Sequence, residues 1–261
     1  MAQTGYDIVE ENNLLINLEK VCFNYPGGPP VLNGLDFKFY QGCRLGLIAP
    51  NGSGKTTLLH IIMGLLKPSS GKLEIFGKPV REEKDFADVR RRIGLLFQDA
   101  DDQLFSPTVL EDVAFGPLNL GKSKNEAIQI AKKTLDFLGL RGFENRLTFK
   151  LSGGEKRLVS LATVLAMEPE ILLLDEPING LDMKTKAKLN EVLSGLELSY
   201  LLISHDFDFL ADTVDAIYTM QDGKILLDKE LHLHEHIHAH ELGTYPHQHD
   251  MSKDPNRRTE D

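Results

Sequence analysis

The chain is poor in cysteine. Cys22 and Cys43 are all it has, too few for a disulfide scaffold, and both are expected as buried free thiols in a reducing compartment. It also lacks any apolar run near the roughly 20 residues that span a bilayer as a helix; residues 58–66 are the best candidate, and they contain His60. The opening MAQTGYDIVEENN has neither the basic nor the apolar region of a secretory signal, so a cytoplasmic setting is expected. No internal repeat occurs. A clustered basic face is missing as well: formal net charge is −10, which argues against a tight nucleic-acid binder. An acidic protein that binds a polyphosphate must then do so with local backbone N–H groups, a helix end and one or two cations.

What is present reads as an α/β chain. LLINLEKVCFNY and VLNGLDFKFY alternate as strands, and an antiparallel start runs into a buried strand at 44–48. A helix is expected over 56–66, stopped by KPSSG, with strands at 72–76 and 93–97. From about 99 to 149 helical spacing dominates. Ala127, Ile128, Ala131, Leu135 and Leu138 mark one helix over 124–138. Residues 171–174 form an apolar run typical of a strand buried on both faces. A helix over 189–198 and strands at 200–203 and 216–220 follow. Strands alternating with helices imply a largely parallel sheet, whose ligands bind at the carboxyl ends of the strands.

At one such end lies Ala49-Pro50-Asn51-Gly52-Ser53-Gly54-Lys55-Thr56, followed by Thr57. Strand, Gly-rich loop, Lys-Thr and helix make the P-loop arrangement. Gly52 and Gly54 let the backbone curl until several N–H groups face one point, and the helix adds the positive end of its dipole. Lys55 supplies a charge for β- and γ-phosphates, and the Thr56 hydroxyl is placed to ligate Mg²⁺. Ala49 stands where the pattern normally has glycine; alanine tolerates a negative φ, so the loop is expected to survive.

At a second strand end, Asp175 and Glu176 follow the run of leucines. Asp175 is expected to hold Mg²⁺ through its waters, and Glu176 to orient and polarise the attacking water. The tasks are separate because a metal-bound carboxylate is a poor base. His205 follows the strand at 200–203 and can reach the γ-phosphate and that water; alternatively it is a surface histidine. Gln98 ends the strand at 93–97 and can touch metal and water; alternatively it is a solvated glutamine. Farther along, Ser152 with Glu155 matches a capping box before a helix carrying Leu158, Leu161, Ala162 and Leu165. A capped helix is one reading. Gly153 and Gly154 suggest another, a second anion site where phosphate approaches bare N–H groups.

Together the P-loop, Gln98, Ser152-Gly153-Gly154-Glu155, Asp175-Glu176 and His205 resemble the ATP-binding-cassette ATPases, in that family's order and over roughly residues 14–230. The resemblance implies a P-loop NTPase (RecA-like) α/β fold: a mostly parallel sheet core with an antiparallel β subdomain and a helical subdomain near 99–165. It implies Mg²⁺-dependent ATP hydrolysis by a head-to-tail homodimer, each ATP held between one chain's P-loop and the other's Ser152 helix. Asn179-Gly180-Leu181-Asp182 is similar to the family's loop that crosses between the two sites. Tyr25 is similar to its adenine-stacking aromatic, the other reading being a core aromatic. FQDADDQLFSPTVLEDVAFGPLNLG, residues 97–121, is similar to the ATPases of cobalt and nickel energy-coupling-factor importers, with Ala100 where a proline is common. By that likeness the partners are a transmembrane coupling protein and a membrane substrate-capture protein. The chain is then peripheral, on the cytoplasmic face of the membrane, and binds no nucleic acid.

Residues 1–13 read as an extension and 231–261 as a tail of another character. His232, His234, His236, His238 and His240 alternate with other residues, and His247 and His249 follow. Either as a strand or as i,i+4 helical pairs these imidazoles can chelate Ni²⁺, Co²⁺ or Zn²⁺ without distinguishing them; the other reading is a solvated low-complexity tail. A transition-metal importer combines both features. The competing readings are a vitamin importer with a shared coupling module, a soluble cassette ATPase acting on DNA or ribosomes, and a metal-storage protein that kept an ATPase core.

Overall fold

The computed structural model describes residues 13–226. The His-rich tail and most of the N-terminal extension lie outside the described residues.

Two antiparallel strands open the fold, β1 (Leu14–Asn24) and β2 (Pro30–Tyr40), joined by a Pro-Gly-Gly turn. Then come β3 (Arg44–Ile48), α1 (Lys55–Ile62), β4 (Ser70–Ile75), β5 (Lys78–Pro79), α2 (Glu83–Arg92) and β6 (Ile93–Leu96). A helical stretch holds α3 (Val109–Asn119), α4 (Lys124–Phe137) and α5 (Gly153–Leu165). The chain returns through β7 (Ile171–Asp175), α6 (Met183–Gly195), β8 (Ser199–Ile203), α7 (Phe207–Thr213), β9 (Ala216–Gln221) and β10 (Lys224–Leu226).

One sheet is antiparallel, in the order β2-β1-β4-β5. The other runs β10-β9-β3-β8-β7-β6, parallel except for the β10 edge. The inner strands explain their own sequences. Leu172 and Leu174 of β7 face one buried cluster, shared with α5 and α6, while Ile171 and Leu173 face a second, shared with α1 and the antiparallel sheet. With both faces covered, every residue of β7 and β8 is buried, which is why the run at 171–174 shows no alternation. Because β3, β6, β7 and β8 are parallel, their carboxyl ends open on one edge of the sheet.

Boundaries differ from the expected ones for local reasons. The first helix ends at Ile62 rather than Leu66, because Gly64 turns to φ +69° and the N–H groups of Leu65 and Leu66 close back on the His60 carbonyl. The helix expected at 189–198 begins at Met183, where the Asp182 side chain accepts the Thr185 N–H at 3.0 Å. Helix α2 was not anticipated: EKDFADVRRR buries only Phe86 and Val89, and its start depends on a capping box between Glu82 and Asp85. Short α7 also went unread. Both cysteines are free and half-buried.

Close approach of α5 to the sheet depends on Gly94. A Cβ there would lie 2.2 Å from Val164 Cγ1 and 3.2 Å from Leu172 Cδ2. Gly94→Ala is therefore expected to cost about 1–3 kcal/mol of stability through overpacking, seen as a lower denaturant midpoint at unchanged slope. An unchanged midpoint would contradict this packing.

Candidate functional site

The loop from β3 to α1 adopts the curl its glycines allow. Gly52 and Gly54 have φ of +79° and +100°. At Gly54 a Cβ would also meet Leu32 Cδ2 at 2.9 Å and Met220 Cε at 3.1 Å, so conformation and space both require glycine. Gly54 caps α1 without any side-chain hydrogen bond, and no acid stands in the first turn. The positive end of the helix is thus left bare for an anion. Ala49 is absent from the residues of positive φ, and its methyl is buried in the core; the departure from glycine costs the loop nothing visible.

Lys55 is buried, and its Nζ donates to the Ala49 carbonyl at 3.0 Å and to Glu176 Oε1 at 3.1 Å. The Thr56 hydroxyl donates to Asp175 Oδ2 at 2.7 Å. The other Asp175 oxygen, Oδ1, is buried with no hydrogen-bond partner among the described residues, as is the Ser53 hydroxyl. Burial pushes the Asp175 carboxyl above its ordinary pKa; the Thr56 hydrogen bond opposes this, the Glu176 charge adds to it, and Lys55 and His60 offset it in part. A desolvated carboxylate with an orphan oxygen beside a threonine hydroxyl is a donor set suited to a small hard cation, so the residues present fit Mg²⁺.

Glu176 is buried and held at φ +47°, a left-handed conformation uncommon for a side chain of this size. Its N–H donates to the Ile203 carbonyl at 3.0 Å, tying the turn to β8. Its Oε2 lies 2.9 Å from His205 Nδ1. An ionised carboxylate only accepts, so against that form Nδ1–H is the donor and Nε2 is left for another partner. The imidazole itself is 65% exposed, which meets one half of the surface-histidine reading while giving it a buried partner.

A cavity of about 570 Å³ gathers these groups from across the chain. Tyr25, Ala49, Pro50, Asn51, Gly52, Gly54, Lys55, Thr56, Thr57, Gln98, Asp175, Glu176 and His205 line it, with Val31 and Asn179. Tyr25 is 47% exposed, stacks edge-on against Phe23 with centroids 5.0 Å apart and shares a hydrogen bond of 3.3 Å with the Thr57 hydroxyl; it is not a core aromatic. Gln98 also lines an adjoining cavity of about 660 Å³, together with Gly153, Thr56 and Asp175.

Ser152, Gly154, Glu155 and Asp182 are not brought into the P-loop cavity. Ser152 and Glu155 satisfy each other as a capping box at 2.8 and 3.3 Å, and Arg146 pairs with Glu155 at 2.9 Å. Gly154 has a packing reason: a Cβ there would lie 2.9 Å from Thr185 Oγ1 of α6. Gly153 has open space around it. Among the described residues no cluster of three or more His, Cys, Asp or Glu could hold a metal ion, and the seven tail histidines lie outside those residues.

Sequence reasoning passed over Arg157. It is 4% exposed and donates to the carbonyls of Phe97, Gln98 and, at 3.2 Å, Glu176. Its signal was a cation on the apolar face of α5, one position before Leu158 and four before Leu161.

Residues 32–179 match the family described as ABC transporter. The chain belongs to the ABC transporter ATP-binding family. The energy-coupling factor transporter ATP-binding protein EcfA of Methanocaldococcus jannaschii is 43% identical to this ABC ATPase over 216 residues, covering 81% of this chain and 77% of its own. The structure of cbiO1 from Clostridium perfringens, described as part of the ABC transporter complex cbiONQ, is similar at a TM-score of 0.74 and 33% identity, over 82% of this chain and 88% of that one. An ATP-binding cassette solved as a dimer in a post-hydrolysis state with ADP and Pi is similar at a TM-score of 0.74 and 28% identity, over 81% and 96%. As an ABC ATPase the chain hydrolyses ATP with Mg²⁺. No helix among the described residues is long and apolar enough to cross a membrane.

Proposed function

We propose that this ABC ATPase is the ATP-hydrolysing subunit of an energy-coupling-factor importer for a transition-metal ion, nickel or cobalt. It works as a homodimer at the cytoplasmic face of the membrane, against a transmembrane coupling protein and a membrane substrate-capture protein. The observation that carries this reading is an apolar surface on α3 and the loop before it, a few residues after Gln98 in the chain. Phe105, Phe115 and Leu118 are large and exposed, and the two rings meet edge-on with centroids 4.7 Å apart. Buried Asp112 pins the loop beneath them, accepting the N–H groups of Phe105 and Ser106 at 3.2 and 2.9 Å. An exposed aromatic patch on a rigid base suits a protein partner. The likeness to EcfA and to cbiO1 supports the importer class.

Within the site, Thr56 and Asp175 would hold Mg²⁺, with Gln98 at its edge; bound there, the ion neutralises charge on the triphosphate. Lys55 and the N–H groups of residues 51–57 bind phosphate, and Tyr25 stacks on adenine. Glu176 orients the attacking water and takes its proton, while His205 Nε2 faces the γ-phosphate. In the dimer the exposed Ser152–Gly153 helix end and Asp182 meet the other chain's nucleotide. The tail histidines bind cytosolic metal.

Uptake tests the cargo. In cells carrying this chain with its membrane partners, nickel or cobalt accumulation is expected to depend on a hydrolysis-competent chain, with a vitamin as control. Deleting residues after 231 is expected to lower metal bound per chain. Dependence of vitamin uptake alone would overturn the metal assignment.

A further inference from the structure

Arg157 is a buried cation that forms no ion pair among the described residues. Burying a charge without a counter-charge is unfavourable, and here burial pulls the guanidinium pKa down, with the charges of Asp99 and Asp175 opposing. Among the described residues its hydrogen bonds go to main-chain carbonyls, and those belong to two separate segments. Phe97 and Gln98 leave the end of β6; Glu176 leaves the end of β7. The same side chain grows from α5, whose first turn is the exposed Ser152–Gly153 end. A guanidinium is a rigid planar fork, so it fixes these carbonyls relative to one another without regard to the side chains around them. At Glu176 the held carbonyl belongs to the residue at φ +47°, the one whose side chain reaches both Lys55 and His205.

We propose that Arg157 is a positioning residue for hydrolysis: it locks the main chain of Gln98 to that of Glu176 and to α5, so that displacement of the glutamine segment or of the Ser152 helix re-aims the Glu176 carboxylate. This rests on the assignment of Glu176 and Gln98 given above. Without Arg157, ATP still binds the P-loop, which Arg157 does not touch, but the glutamate is no longer held in register.

The test compares Arg157→Met, Arg157→Lys and Glu176→Gln in the full chain, with ATPase rate expressed per folded, ATP-binding site. Arg157→Met is expected to lower kcat about tenfold or more while KM for ATP stays within about twofold. Arg157→Lys keeps the charge and part of the hydrogen bonding, and is expected to recover part of that loss. A purely structural role would lower the melting temperature and leave kcat of the folded fraction at the wild-type value, and that result overturns the proposal. If Arg157→Met does not fold, Arg157→Lys decides: wild-type kcat in it overturns the proposal, and a lowered kcat with unchanged KM supports it. Full turnover in Glu176→Gln would instead sink the underlying assignment of Glu176.

Discussion

Glu176→Gln is expected to bind ATP normally and to hydrolyse it about 10²–10⁴ times more slowly, the range by which a positioned base accelerates proton transfer. The substitution preserves shape. An amide oxygen still accepts from Lys55 Nζ, now 3.1 Å from Oε1, and the backbone at φ +47° is held by the Ile203 and Arg157 contacts rather than by the carboxylate. What is lost is the basic oxygen beside His205 Nδ1. Single-turnover hydrolysis and equilibrium ATP binding, measured on the same preparation, check both halves. Turnover within about tenfold of wild type would remove Glu176 from the role of base.

Lys55→Ala is expected to act earlier, on nucleotide binding. Lys55 is the buried cation at the mouth of α1, and its removal leaves the bare helix end as the main attraction for the triphosphate. A second effect follows from its present partner. With Lys55 gone, the Glu176 carboxylate stays buried and faces only an exposed histidine. Breaking a buried ion pair on one side typically costs about 3–5 kcal/mol, so the nucleotide-free variant should also melt lower. The double variant Lys55→Ala/Glu176→Gln separates the two effects, since removing the orphan charge should restore part of the stability and none of the ATP affinity. ATP affinity unchanged in Lys55→Ala, by titration calorimetry, would contradict the placement of Lys55 on phosphate.

Much of the site is legible in the sequence, because each piece is local. Gly52 and Gly54 are readable since a curled loop needs positive φ within a few residues, and Asp175-Glu176 since two acids close a run buried on both faces, at the strand end where a parallel sheet binds its ligands. Ser152 and Glu155 announced their own capping box. Helix α2 was illegible because its stability comes from charged caps and two buried side chains rather than from an apolar stripe. Gly154 reads as a phosphate contact in sequence; that it also packs closely on Thr185 is visible only when α5 and α6 are placed together.

The sequence by itself determined the strand-loop-helix logic of phosphate binding, the acids at strand ends and the family order of the motifs, because these depend on backbone geometry within a few residues of each motif. Tertiary structure alone decided that β3, β6, β7 and β8 end on one edge. It also set Lys55 between Ala49 and Glu176, brought His205 Nδ1 against Glu176 Oε2, and tied Arg157 to both Gln98 and Glu176. Apart from the bond to Ala49, those contacts join residues 19 to 121 positions apart, and no local pattern encodes a distance that only the parallel sheet and its covering helices bring to hydrogen-bond length.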